Sequence, residues 1–281
     1  MDLKNEARAL EYIQSAIANN KLVLPTLPEV ALSVRQAVNS GKVSDAELAR
    51  VISGDPGLAT RLLQVANSPL YRARQKIESL QMAITRMGHN VIRNLITSLA
   101  MQQVFNPQSP LLASYFHATW KHSVNIASVS RALALHCRHL DKEQAMLAGL
   151  IHQIGKLPIL TLAEKFPELA QDRAALDHLL NALHPTIGKI IMESWDLPEG
   201  LRKAAWEYLD FHRDPAPEAD YVDVVQVAYI ENELVTNPSF ADLVNVAAVP
   251  AFHKLGLDPD IEVLEIEGVA EEVAAAEQIF I

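Results

Sequence analysis

Apolar positions recur every three or four residues along most of this chain, the spacing of helices with one buried face. Ala7, Leu10, Ile13 and Ile17 set that period in the first segment. Pro25 and Pro28 interrupt it, and Pro28 is placed to start a helix running to about Val38. Ser44-Asp-Ala-Glu47 has the form of a capping box for a helix ending near Ser53. Asp55-Pro56 opens the next helix, with Leu58, Leu62, Leu63 and Val65 inside it and Asn67-Ser-Pro69 at its end. Ser79 begins a helix that stops at Gly88, and Asn90 caps another reaching about Phe105. Asn106-Pro107-Gln-Ser-Pro110 reads as a linker, which divides the chain into residues 1–106 and 107–236, followed by an extension over 237–281. Beyond the linker the pattern predicts a long helix from about Leu111 to Cys137 and another from Asp141 to Gly155. Shorter helices are expected near 172–181, 185–195, 201–210 and 219–236, with Leu197-Pro-Glu-Gly200 as a loop. Ile261 to Glu267 reads as a short strand or an irregular segment, and Val269 to Phe280 as a final helix. So little can be read as strand that the expected class is all-α.

Composition narrows the picture. With 281 residues, 49% of them apolar, the chain can bury real cores and is not disordered. A single cysteine, Cys137, excludes an internal disulfide or a cysteine metal cluster, and fits a small core residue in a reducing compartment. No N-terminal leader pattern is present and no apolar run reaches ~18 residues, so a soluble cytoplasmic protein with no membrane partner is expected.

Charge is unevenly placed. Residues 1–213 hold 23 basic and 19 acidic side chains, +4 net, while residues 214–281 hold one basic residue, Lys254, against 15 acidic ones, −14 net. That acidic extension cannot face nucleic acid or an anionic membrane. It can lie solvated, dock a basic partner, or pack on a basic patch of its own chain. Such a patch is offered by Arg61, Arg72, Arg74, Lys76, Arg86 and Arg93, among which Glu78 is the sole acid. The first module is too mildly basic for a nucleic-acid surface, and the patch reads as an ordinary solvated surface or as a dock for an acidic protein or the tail.

The motifs then point to a family. Leu24-Pro-Thr-Leu-Pro28, Asp55-Pro-Gly-Leu58, Leu62-Leu-Gln-Val-Ala-Asn-Ser-Pro-Leu-Tyr71 and Ile84-Thr-Arg-Met-Gly88 fall in order along the first half. Trp120-Lys-His-Ser123, Leu147-Ala-Gly-Leu-Ile-His152, Gly155-Lys156, His184 with Gly188, and Trp195-Asp-Leu-Pro198 follow in the second. This ordered set resembles the HDOD family, non-catalytic relatives of the HD metal-dependent phosphohydrolases, over about residues 20–235. The resemblance implies an N-terminal helical module packed on a degenerate HD-like bundle, and a role in bacterial signal transduction. The chain is too short for an added receiver or nucleotide-cyclase domain, so a stand-alone module is expected.

An HD hydrolase holds its ion with a histidine, a His-Asp pair and a later aspartate, and the ion acidifies a bound water. Mapped by resemblance, the histidines are His122 and His152, the pair's aspartate is replaced by Gln153, and the last aspartate falls at about Tyr229. Gln has no charge and cannot serve as a general base. Two neutral imidazoles would take a soft transition metal weakly, but not a hard oxygen-seeking ion. No cofactor is therefore expected, the alternative being a weakly bound divalent transition metal on His122 and His152. Glu233, one helical turn after Tyr229, is the acid that could replace the missing one. The two histidines otherwise read as buried imidazoles, and His184 as a helix-capping or cavity-lining residue. Phe211 stands where the first of a histidine pair with His212 would be expected. Lys156 can contact a phosphate or simply lie solvated. Trp120, Trp195 and Trp206 read as core or as an aromatic wall. The expected function is a protein-interaction module for signalling partners, with a small nucleotide as a further ligand. The alternatives are a phosphohydrolase with a non-standard ligand set and a non-hydrolysing cyclic dinucleotide sensor.

Overall fold

The computed structural model describes residues 3–71, 75–107, 110–259 and 261–280; Arg72 and Arg74 of the basic patch lie outside them. The fold is all-α, and no strand occurs among the described residues. The first helices are α1 (Glu6–Ala18), α2 (Glu29–Asn39), α3 (Asp45–Ile52), α4 (Pro56–Ala66), α5 (Leu80–Met87) and α6 (His89–Val104). Local chemistry sets their ends as the sequence predicts. Ser44 and Glu47 form the reciprocal capping box at α3, Asp55 caps α4 with Pro56 in its first turn, and Ser79 caps α5. Gly88 closes α5 at φ 83°, a conformation that disfavours a side chain, and α6 starts at once at His89.

The second bundle holds α7 (Ala113–Ala134), α8 (Lys142–Ile151), α9 (Lys156–Ala163), α10 (Pro167–Ala170), α11 (Arg173–Ser194), α12 (Glu199–Arg202), α13 (Ala204–Glu207) and α14 (Tyr221–Thr236). Three expectations are corrected here. The helix expected to reach Gly155 stops at Ile151, and α9 follows after one turn. The segments 172–181 and 185–195 are one continuous helix, α11, with Pro185 inside it. Pro185 has no N–H to give to the Asn181 carbonyl, and the His184 ring donates to that carbonyl at 3.1 Å instead. The region 201–210 holds two one-turn helices rather than one longer one.

The extension carries α15 (Pro250–Leu255) and α16 (Val269–Glu277). The Ile261–Glu267 segment contains a 3-10 turn at Val263–Glu265, not a strand. The acidic tail folds back on the rest of the chain. Its lone cation, Lys254, is buried with its ammonium 3.0 Å from Asp214 and 3.7 Å from Asp223. From α16, Glu272 accepts from Arg131 at 2.9 Å and Glu277 accepts from Asn125 at 3.4 Å. Phe280 meets Trp120 edge-to-face at 5.7 Å, and Arg61 donates to the Ile279 carbonyl at 3.2 Å.

One contiguous apolar cluster runs through both bundles and the tail. Trp195 is buried, its indole N–H donating to Pro25 O, while Trp120 and Trp206 are half-buried. Cys137 is also half-buried, on the turn after α7, rather than in the core as expected. Among the described residues one stretch, 142–163, is long and apolar enough to cross a membrane. It is mostly buried inside the fold as α8 and α9.

Candidate functional site

Two glycines bring the site together. A Cβ on Gly149 would lie 2.5 Å from Ala127 Cα, so this residue lets α8 pack directly on the α7 backbone. A Cβ on Gly155 would lie 2.0 Å from the His184 carbonyl oxygen and 2.6 Å from the Gly188 nitrogen, so the turn before α9 touches α11 itself. His122 from α7 and His152 from the end of α8 then stand with ring centroids 5.3 Å apart. His184 arrives from α11, and Tyr229 from α14, its ring 6.1 Å from His122 and 6.4 Å from His152.

Four of the predicted site residues, His122, Gln153, His184 and Tyr229, line one cavity of about 600 Å³ together with Lys156, and His152 lies behind them, fully buried. The hub of the group is Tyr208, which sequence reasoning missed. It is wholly buried and packs edge-to-face on His152 at 4.9 Å and on Tyr229 at 5.0 Å. Its hydroxyl lies 2.7 Å from His184 Nε2 and 3.4 Å from the Gln153 amide nitrogen. Because His184 Nδ1–H is donated to the Leu180 carbonyl at 2.8 Å, Nε2 must accept, and the tyrosine donates to it. A tyrosine within the mostly apolar run 204–209 was the available signal, since a buried phenol needs a partner for its tip.

His152 donates Nδ1–H to the Gly149 carbonyl at 2.6 Å, which leaves Nε2 as an acceptor. Asn232 approaches His122 Nδ1 at 3.4 Å. Both Nε2 atoms are buried without a hydrogen-bond partner among the described residues. Burial, helped by the Lys156 charge, lowers His122 to about 4 and His184 to about 3. Burial and then His122 push His152 well below its ordinary value. The imidazoles are therefore neutral at physiological pH. Lys156 is lowered to about 8 by burial, against the pull of Glu233 and Asp177.

Those two carboxylates face the cavity. Glu233 lines the cavity one turn beyond Tyr229, as its spacing predicts, and Asp177 of α11 lines it as well, unforeseen from the sequence. Neither completes a metal set. Among the described residues no three His, Cys, Asp or Glu side chains converge as ligands. The positions that the family resemblance assigns to the hydrolase carboxylates hold an amide facing Tyr208 and a phenol that burial keeps protonated.

The described members of the basic patch have different surroundings. Arg61 is half-buried between Gln102 and the tail, and Arg93 donates to Asn39 at 2.9 Å. Lys76 and Arg86 are exposed. The cation that meets the tail most deeply is Arg131, buried in α7 and not foreseen.

Comparison with known proteins places the architecture. A solved structure from Shewanella amazonensis SB2B, provisionally named a metal-dependent phosphohydrolase, superposes with a TM-score of 0.84 at 26% identity, covering 98% of this chain and 99% of that one. A protein of Marinobacter aquaeolei VT8, provisionally named a signal transduction protein, superposes with a TM-score of 0.62 at 21% identity over 99% of this chain and 67% of its own. An uncharacterised protein of Treponema pallidum (strain Nichols) is 22% identical over an alignment of 196 positions that covers 66% of this chain and only 38% of that protein. The HDOD domain matches residues 24–210, which run from α2 through α13 and hold every cavity-lining residue except Tyr229, Glu233, Asn237 and Phe240. The chain belongs to the HDOD domain family.

Proposed function

We propose that this chain is a signal-transduction module that acts by binding, with an HD-type site that has lost its hydrolytic metal. The observation that carries this reading is Gln153. Its amide is buried against Tyr208 at the position where the hydrolases place a carboxylate, and Tyr229 replaces the second acid with a ring. Two neutral imidazoles offer no charge to offset a divalent ion, so no metal-bound hydroxide is available as nucleophile. The family and the signalling name of the Marinobacter neighbour support the same role. The partners in this reading are signalling proteins that dock on helical surfaces, with a small ligand in the cavity and Lys156 as its anion contact. The single half-buried cysteine fits a cytoplasmic location, and the −14 charge of the extension disfavours nucleic acid and membrane surfaces.

Metal analysis and activity assays test it together. The purified protein, incubated with manganese, iron, nickel or zinc, is expected to retain no stoichiometric ion and to leave bis(p-nitrophenyl) phosphate intact. Gln153→Asp with Tyr229→Asp is expected to raise affinity for these ions. Hydrolysis by the wild type that vanishes in His152→Ala would overturn the proposal. Glu233 on the cavity wall and the name of the Shewanella neighbour favour a second reading, a hydrolase with a substitute acid. In that case Glu233→Gln would abolish both metal retention and activity.

A further inference from the structure

The charges facing the cavity are arranged in a way the lost metal does not explain. Lys156 stands at the start of α9, where the helix dipole disfavours a cation, and it is half-buried. No carboxylate oxygen among the described residues comes within salt-bridge distance of its ammonium. Asp177 on α11 and Glu233 on α14 face the same cavity. Asp177 is held by the Tyr115 hydroxyl, while the Glu233 carboxylate has no bonded partner among the described residues. One cation and two carboxylates, on three different helices, thus surround a space of about 600 Å³ without pairing across it.

The remaining walls are neutral. Gln153, His184 and Tyr208 form a floor of hydrogen-bonding groups, and Leu180, Leu209, Tyr229 and Phe240 supply apolar and aromatic surface. With the imidazoles uncharged, the cavity carries more negative than positive charge. A multiply charged anion would meet one ammonium and two repelling carboxylates. A simple cation would leave Lys156 unpaired. A molecule with one anionic and one cationic end satisfies all three side chains.

We propose that the cavity binds a small zwitterion, its anionic group on Lys156, its ammonium between Asp177 and Glu233, and its spacer against Tyr229 and Phe240. This rests on the reading that the site works without a metal, and its failure is separable from the failure of that reading. Metal content and hydrolysis are scored independently of ligand binding.

The test is calorimetric titration of the full chain with 4-aminobutyrate, 6-aminohexanoate and O-phosphoethanolamine. Hexanoate, hexylamine and inorganic phosphate serve as singly functional probes. At least one zwitterion is expected to bind ten or more times tighter than any of the latter. Lys156→Met is expected to weaken that binding at least tenfold, and Asp177→Asn with Glu233→Gln to do the same, each variant keeping a cooperative thermal transition. Should Lys156→Met fail to fold, the double carboxylate variant decides alone. The proposal fails if the folded protein binds none of the three zwitterions. It also fails if phosphate or hexanoate binds as well as they do, or if affinity survives these substitutions.

Discussion

The Tyr208 hydroxyl donates to His184 Nε2 at 2.7 Å while the Gln153 amide approaches it at 3.4 Å, so one buried group serves two neighbours. Removing it takes a partner from a buried imidazole acceptor and a buried amide on the cavity wall. One orphaned buried group costs about 1–3 kcal/mol, and the 2.7 Å bond to His184 outweighs the long 3.4 Å contact with the amide. Tyr208→Phe, which keeps the ring and its packing on His152 and Tyr229, is therefore expected to lower unfolding free energy by about 1–3 kcal/mol. Urea denaturation measures this, and an unchanged midpoint would mean that the phenol tip bears no weight. The same residue explains why Gln153 is compatible with a stable core where an aspartate would be costly: an amide can donate to a phenol, whereas an unpaired carboxylate would be buried beside two neutral imidazoles.

Among the elements, α16 is the one whose docking depends on charge. Arg131, at 1% exposure, is held by the equally buried Glu143 at 3.2 Å and by Glu272 of α16 at 2.9 Å, beneath the ring of Tyr71. Replacing Arg131 by Met strands Glu143 in the core, and breaking a buried pair in this way costs about 3–5 kcal/mol. Arg131→Met with Glu143→Leu is expected to recover most of that loss, because an apolar replacement of both partners removes the stranded charge. Glu272 is 30% exposed, and its loss leaves the buried pair intact. Glu272→Gln is accordingly expected to cost less than about 1 kcal/mol, while speeding hydrogen exchange across Val269–Glu277 relative to α7. Equal exchange in mutant and wild type would show that apolar contacts such as Phe280 on Trp120 hold the helix without the ion pair.

For the whole molecule, the buried imidazoles link stability to pH. His122, His152 and His184 all titrate below their ordinary value of 6.5, so the unfolded chain takes up protons that the folded chain refuses. Their contribution is fully present above pH 6.5 and is lost as pH falls through about 4 for His122 and about 3 for His184. Each proton contributes a slope of about 1.4 kcal/mol per pH unit, so the three together give at most about 4. Urea midpoints are expected to fall steadily from pH 6.5 towards pH 4, and His152→Gln to flatten that slope by about one third. A wild-type midpoint constant over this range would contradict the burial of the three rings. Lys156 acts at the other end: lowered to about 8, its burial penalty fades as pH rises towards 10.5.

Helix positions and ends were legible in the chain because they depend on neighbours in sequence. Ser44 with Glu47, Asp55 with Pro56, and Gly88 determine their helix ends with little help from the tertiary fold. The motif order was likewise enough to place His122, His152, Gln153 and Tyr229 in one site, and the spacing of Glu233 placed it on the cavity wall. What local pattern could not supply was contact between distant segments. Pro185 reads as a break, yet α11 runs through it, with the His184 ring N–H shared between the Leu180 carbonyl and the Asn181 carbonyl that the proline leaves without its usual donor. Tyr208 lies 55 residues from Gln153, and Asp177 and Lys156 sit on different helices, so their meeting depends on packing that lets Gly155 touch α11. The acidic run after residue 213 left open whether the tail lies solvated or meets cations. Only the tertiary structure decided that Arg131, Arg61 and its own Lys254 take part in holding it, because an arginine within a long helix does not announce that the fold will bury it.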